Sequence, residues 1–166
     1  MAELERRFVR EKEARSLVLE LQKKLRMSLQ RMPALKGPIE LAKVNSVEIF
    51  LINKKPLFAK VYNELFPTLV TMQLLSDLPK ATVNMGAVPY VCNGADVMAP
   101  GLIGFEGDFE KGDMVVVLDE RHQKPIAITL ALHNKKEAGR LQRGRVLKNV
   151  HYVGDKVWKA ITQLGK

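Results

Sequence analysis

Leu17, Leu21, Leu25 and Leu29 recur every four residues, with Val18 and Met32 beside them, while Arg15, Glu20, Lys23, Lys24 and Arg26 fill the positions between. That period gathers the leucines on one face and predicts an amphipathic helix, closed by Pro33 and then Gly37-Pro38. The residues before Ala14 are so charged that they read as a solvated extension of this helix or as a frayed arm. Strand-like runs follow over Ile39 to Val44, Val47 to Ile52 and Leu57 to Tyr62, with Asn53-Lys54-Lys55-Pro56 as a turn. Pro67 suits the first turn of a helix carrying Leu69, Val70, Met72, Leu74 and Leu75, closed by Asp77-Leu78-Pro79. These segments predict a unit of helix, small sheet and helix ending near Lys80.

Beyond Lys80 the pattern changes. Glycine becomes frequent (Gly86, Gly94, Gly101, Gly104, Gly107, Gly112, Gly139, Gly144, Gly154) and separates short apolar runs, as in a small barrel or sandwich. Met114 to Leu118 is continuously apolar. From Pro125 to Leu132 the large residues Ile126, Ile128, Leu130 and Leu132 alternate with Ala127, Thr129 and Ala131, so small side chains line one face, where another element can approach. Arg145 to Val150 reads as the last strand, and Val157, Trp158 and Ile161 as a terminal helix.

Composition narrows the chemistry. No stretch reaches the roughly 18 to 20 apolar residues that cross a bilayer, and the charged start Met1-Ala2-Glu3-Leu4-Glu5-Arg6-Arg7 has no apolar core of a secretory signal. One cysteine, Cys92, excludes an internal disulfide and a cysteine-rich metal site, and His122, His133 and His151 lack close ligand spacing. A cytoplasmic protein without metal or cofactor is the expectation. The net charge of +9, from 27 basic and 18 acidic residues, suits a phosphate-rich partner. Its distribution says more: between positions 135 and 148 stand Lys135, Lys136, Arg140, Arg143, Arg145 and Lys148 against Glu137 alone.

The most informative segment is Met85-Gly86-Ala87-Val88-Pro89-Tyr90-Val91-Cys92-Asn93-Gly94-Ala95-Asp96-Val97-Met98-Ala99-Pro100-Gly101. A Gly-Ala pair opens a short helix, a second Gly-Ala follows, and then come an acid, an apolar pair and, after Ala99, Pro-Gly. This resembles the opening of PUA domains, named for pseudouridine synthases and archaeosine transglycosylases. Gly112-Asp113 before Met114-Val115-Val116-Val117 is similar to that family's Gly-Asp before a core strand. Lys148-Asn149-Val150-His151-Tyr152 with Trp158, and upstream Leu65-Phe66-Pro67-Thr68-Leu69, resemble the subfamily that contains the translation factor "multiple copies in T-cell malignancies" and its archaeal relatives. The short, basic chain looks most like an archaeal member.

The resemblance implies an α+β fold: an N-terminal pre-PUA α/β domain over residues 1–80, followed by a C-terminal PUA pseudo-barrel over residues 81–166. It implies RNA binding linked to translation, without catalysis, on the small ribosomal subunit, a tRNA acceptor end or both, with a separate initiation-factor-like partner protein. A ribosome-assembly or RNA-modification accessory factor would use the same module. Carried over by position, the RNA surface comprises Gly86, Ala87, Tyr90, Gly94, Ala95, Asp96 and Val97. The resemblance sets the basic run beside it, adding Lys135, Arg140, Arg143, Arg145 and Lys148. Arginines there can pair with phosphate, and the bland alternative is a solvated face. Tyr90 can stack on a base or pack into a core. If Arg143 and Arg145 lie on one strand they share a face, with Lys148 on the other unless the strand twists or ends.

Several other patterns carry no such weight. Gly101-Leu102-Ile103-Gly104 has the letters of a GxxG clamp but an apolar centre. Gly101, Gly104 and Gly107 lack dinucleotide-site spacing. Cys92 reads as a structural thiol, and His151 as a structural or near-surface residue.

Overall fold

The computed structural model describes residues 4–28, 30, 32 and 35–165. Leu29 and Pro33, expected at the end of the first helix, lie outside the described residues. The chain divides into two compact units, Met1–Ser76 with Lys156–Lys166, and Asp77–Asp155. The boundary expected near Lys80 thus falls a few residues earlier. The terminal helix, expected within the second domain, groups with the first unit.

In the first unit five antiparallel strands lie in sequence order: β1 (Leu4–Phe8), β2 (Ile39–Val44), β3 (Val47–Ile52), β4 (Lys55–Val61) and β5 (Glu64–Pro67). Of the charged start, Leu4–Phe8 form an edge strand, whereas Glu11-Lys12-Glu13 do extend the helix as its first turn. Each residue of β1 is exposed, and the strand pairs with β2 from Leu4 opposite Val44 to Phe8 opposite Glu40. The hairpins close on two-residue turns with both central residues at positive φ, at Asn53-Lys54 (53° and 65°) and Tyr62-Asn63 (49° and 64°). Such turns match the strand twist. Helix α1 (Glu11–Leu25) buries Leu17, Leu21 and Leu25 on its apolar face and ends on Arg26 in the left-handed region.

Pro67 does not begin a helix. It ends β5 opposite Phe58, and only Met72–Leu75 form a helical turn, α2. The intervening Thr68 and Thr71 are buried, and each hydroxyl donates 2.8 Å to the Pro56 carbonyl at the start of β4. These bonds satisfy threonines that burial would otherwise penalise, and they outweigh the helix signal of the following leucines. The terminal helix, α5 (Lys156–Leu164), packs on β3 and buries Val157 and Ala160.

The second unit is a curled six-stranded sheet in the order β7-β11-β10-β9-β6-β8. Its strands are β6 (Lys80–Val83), β7 (Val97–Met98), β8 (Leu102–Glu106), β9 (Met114–Asp119), β10 (Pro125–Ala131) and β11 (Arg145–Tyr152), with short helices α3 (Val88–Val91) and α4 (Lys135–Ala138). β6 runs parallel to β9 and the other pairs are antiparallel. Gly101-Leu102-Ile103-Gly104 enters strand β8 rather than forming a loop. The alternation read along β10 is interrupted by register shifts at Pro125/Ala127 and Ile128/Thr129. Neighbouring Ile126 and Ala127 consequently join one core with Val83, Val91, Val115, Val117 and Leu147. The small residues Ala127 and Ala131 face that core, which leaves room for α3 and its Val91 against β10.

Candidate nucleic-acid interface

The Gly86–Val97 segment is built from local hydrogen bonds. The Asn84 side chain accepts from Ala87 N (2.9 Å) and starts the α3 turn. The turn is closed by Gly94 N to Val91 O (3.1 Å) and Ala95 N to Tyr90 O (3.0 Å), with Gly94 at φ +97°. Two features favour glycine at position 94. L residues rarely adopt that φ, and a Cβ would stand 3.3 Å from the Tyr152 ring. Gly101 has a different constraint: a Cβ there would lie 3.0 Å from Ala87 Cβ, so it permits close packing under α3.

β11 clamps this loop. Asn149 donates from Nδ2 to the carbonyls of Val91 and Ala95, both at 3.0 Å. Asp96 accepts from Asn149 N at 2.8 Å and from Arg145 Nη1 at 3.0 Å. Tyr90, Gly94, Ala95, Asp96 and Arg145 are thereby fixed relative to one another. Asn149, absent from the sequence-derived site, holds the loop in place, and Tyr152, also absent from it, lies against Gly94. Both stood in a segment legible by resemblance, but nothing in their residue types announced a clamp.

Exposure sorts the remaining candidates. Tyr90 is 70% exposed, so its ring lies outside the core. Gly86, Gly94 and Ala95 are exposed and Ala87 is half-buried. Val97 is 1% exposed, and its side chain belongs to the core. Any contact it makes with a ligand must come from the backbone of the edge strand β7.

The basic residues do not follow simple strand parity. Arg143 precedes β11 and is separated from Arg145 by Gly144 at φ +93°, so the expected shared face does not arise from strand geometry. A bulge sets Arg145 and Leu147 opposite the adjacent β7 residues Met98 and Val97, with Val146 as the extra residue. Val146 and Leu147 are both buried, whereas Arg145 and Lys148 are both exposed. The bulge thus corrects the expectation that Lys148 projects away from Arg145. Lys135 lies at the start of α4, capped by Asn134 and tied to Phe109 O, with Arg140 just beyond. Among the described residues no hydrogen bond or ion pair ties Lys135 or Arg140 to the Gly94 loop.

A protein of Methanocaldococcus jannaschii, described only as uncharacterized, is 41% identical over 124 residues, covering 74% of this chain and 76% of its own. The PUA domain model matches residues 79–153 and "Domain of unknown function (DUF1947)" matches residues 5–74. The chain belongs to the pre-PUA/PUA family. "Translation machinery-associated protein 20" of Schizosaccharomyces pombe is 34% identical over 105 residues, 58% of each chain. The crystal structure of a PUA domain protein from Aeropyrum pernix, in complex with tartrate, superposes with a TM-score of 0.82 at 27% identity, covering 99% of this chain and 95% of that one.

Within this PUA domain Cys92 is partly buried and His151 wholly so. Burial, and then the charge of Asp119, push the Cys92 thiol above its ordinary value, which disfavours the thiolate. His151 is fully buried, with Nδ1 2.8 Å from Asp155 Oδ2. Among the described residues no three His, Cys, Asp or Glu side chains form a group able to hold a metal, and no helix is long and apolar enough to cross a membrane.

Proposed function

We propose that this pre-PUA/PUA protein binds RNA of the translation apparatus, contacting the small ribosomal subunit, a tRNA acceptor end or both, and acts by binding rather than catalysis. The observation that carries this reading is the exposed Tyr90 ring beside the Gly94 loop, which Asn149 fastens to the strand bearing Arg145 and Lys148. An exposed aromatic face offers a stacking platform, cations track the phosphates, and small residues let a nucleotide approach the backbone. Gly86, Ala87, Gly94 and Ala95 supply the small residues, and Arg143, Lys135 and Arg140 extend the positive surface. The Translation machinery-associated relative supports the link to translation. The N-terminal unit serves docking, with a separate initiation-factor-like protein as its partner.

Crosslinking the protein in cells and sequencing the attached RNA tests this reading. Enrichment of mature small-subunit rRNA or tRNA acceptor ends is expected. Enrichment of ribosomal precursors alone would assign it to assembly, and absence of crosslinked RNA would overturn it.

A further inference from the structure

Phe8, Val70 and Met72 are large apolar residues left exposed in the N-terminal unit, and all three line one groove of about 1060 Å³. Isolated apolar residues are ordinary on a surface, whereas several in one concavity mark an interaction site. Phe8 stands opposite Glu40, Glu40 opposite Leu51, and Leu51 opposite Pro56, so a single row across four strands contributes to the lining. Ile161 and Leu164 of α5 add further apolar surface.

Charge narrows the occupant. Among the described lining residues Glu40 is the one acid, and Arg6 already pairs with it at 2.7 Å. Lys54, in the β3–β4 turn, and Lys55, the first residue of β4, are both exposed and leave the rim net positive. We propose that this groove docks a partner protein through an amphipathic helix, with two or three apolar anchors in the concavity and carboxylates against Lys54 and Lys55. This rests on the reading of the N-terminal unit as a docking domain, and names its surface and the chemistry of its partner.

A helix presents anchors at i, i+3 or i+4 and i+7 along one face, which suits an apolar concavity. Strand addition at β1 is disfavoured because Glu5, Arg6 and Arg7 place charges on that edge. RNA is disfavoured because, apart from Phe8, the lining is without aromatic platforms for successive bases. A membrane is disfavoured because the apolar side chains line a hollow.

The test uses the full chain and a displayed library of random 16-residue peptides. Selected peptides, synthesised with a fluorescent label, should carry apolar anchors at helical spacing together with Asp or Glu. Met72→Glu and Val70→Glu should each weaken their binding roughly tenfold or more. Lys54→Glu combined with Lys55→Glu should also weaken it, and Glu→Lys peptides should restore it. Melting curves establish that the variants fold, as expected for exposed positions. At high salt, where long-range charge is screened, deacylated tRNA binding should change far less than peptide binding in all of them. Absence of helical acidic binders, or their equal binding to Met72→Glu, would overturn the proposal. So would tRNA, phosphatidylglycerol vesicles or a second copy of the chain binding through Met72. Failure of the wild-type chain to bind tRNA would strike the RNA reading and leave the groove's peptide binding intact.

Discussion

Arg145 Nη1 lies 3.0 Å from Asp96 Oδ2, so a guanidinium on the proposed RNA surface already has a carboxylate partner. The Arg145 side chain is 61% exposed, and an ion pair so open to water contributes at most about 1 kcal/mol. Asp96 therefore orients Arg145 without sequestering it, and its charge opposes an approaching phosphate.

Replacing Asp96 by Asn retains an acceptor for Asn149 N while removing that charge. Asp96→Asn is expected to tighten tRNA binding at low salt by up to roughly fivefold, the factor that an exposed pair of this strength allows. Titrations at low and high salt check it, since the gain should fade with screening. Weaker binding at low salt, with the fold intact, would mean that Asp96 itself contacts the ligand.

Tyr90 separates recognition from stability. Because its ring lies outside the core, Tyr90→Ala should leave the melting temperature within a degree or two while reducing RNA affinity by about 1–3 kcal/mol, the range for loss of a stacked base. Tyr90→Phe should retain most of the affinity. Equal losses in both variants would point to the hydroxyl instead of the ring.

Gly94 behaves in the opposite way. At φ +97° and against Tyr152, Gly94→Ala should destabilise the PUA domain by about 1–3 kcal/mol through backbone strain. Chemical denaturation measures this directly. A neutral result would show that the turn can relax.

Acid stability should depend in part on Asp119. The backbone N–H of His122, and also that of Lys124, hold its carboxyl below the ordinary carboxylate range despite burial. A folded-state value below the unfolded one adds stability above the unfolded pKa of about 3.9, and that stability is lost as pH falls through the folded value. Asp119→Asn should flatten the fall in urea midpoint between about pH 5 and pH 2. An unchanged acid limb would assign that loss to other carboxylates.

The fold was legible where apolar period and turn chemistry agreed, as in α1, β2, β3 and the Asn53-Lys54 hairpin. β1 was not, because an exposed edge strand needs no alternation of apolar and polar residues and Leu4 to Phe8 shows the charge of a solvated arm. At Pro67 the local helix signal gave way to a tertiary cause, the buried Thr68 and Thr71 hydroxyls on Pro56 O. The Gly94 loop was readable from its residue pattern. The disposition of Arg145 and Lys148 was not, since it depends on a bulge at Val146 that only pairing with β7 reveals.

Arg145, tied to the Gly94 loop through Asp96, and Lys148, exposed with it by the bulge, are the residues proposed to hold the RNA backbone. The direct measurement is the salt dependence of deacylated tRNA binding by the chain and by its Arg145→Gln/Lys148→Gln variant. Each lost contact to a single-stranded phosphate removes roughly 0.7 from the slope of log affinity against log salt. The variant should bind more weakly, with a slope shallower by about 1 to 1.5, and should lose no more stability than the at most about 1 kcal/mol of the exposed Asp96 pair. A folded variant with the affinity and salt slope of the original chain would contradict it and place the RNA surface elsewhere.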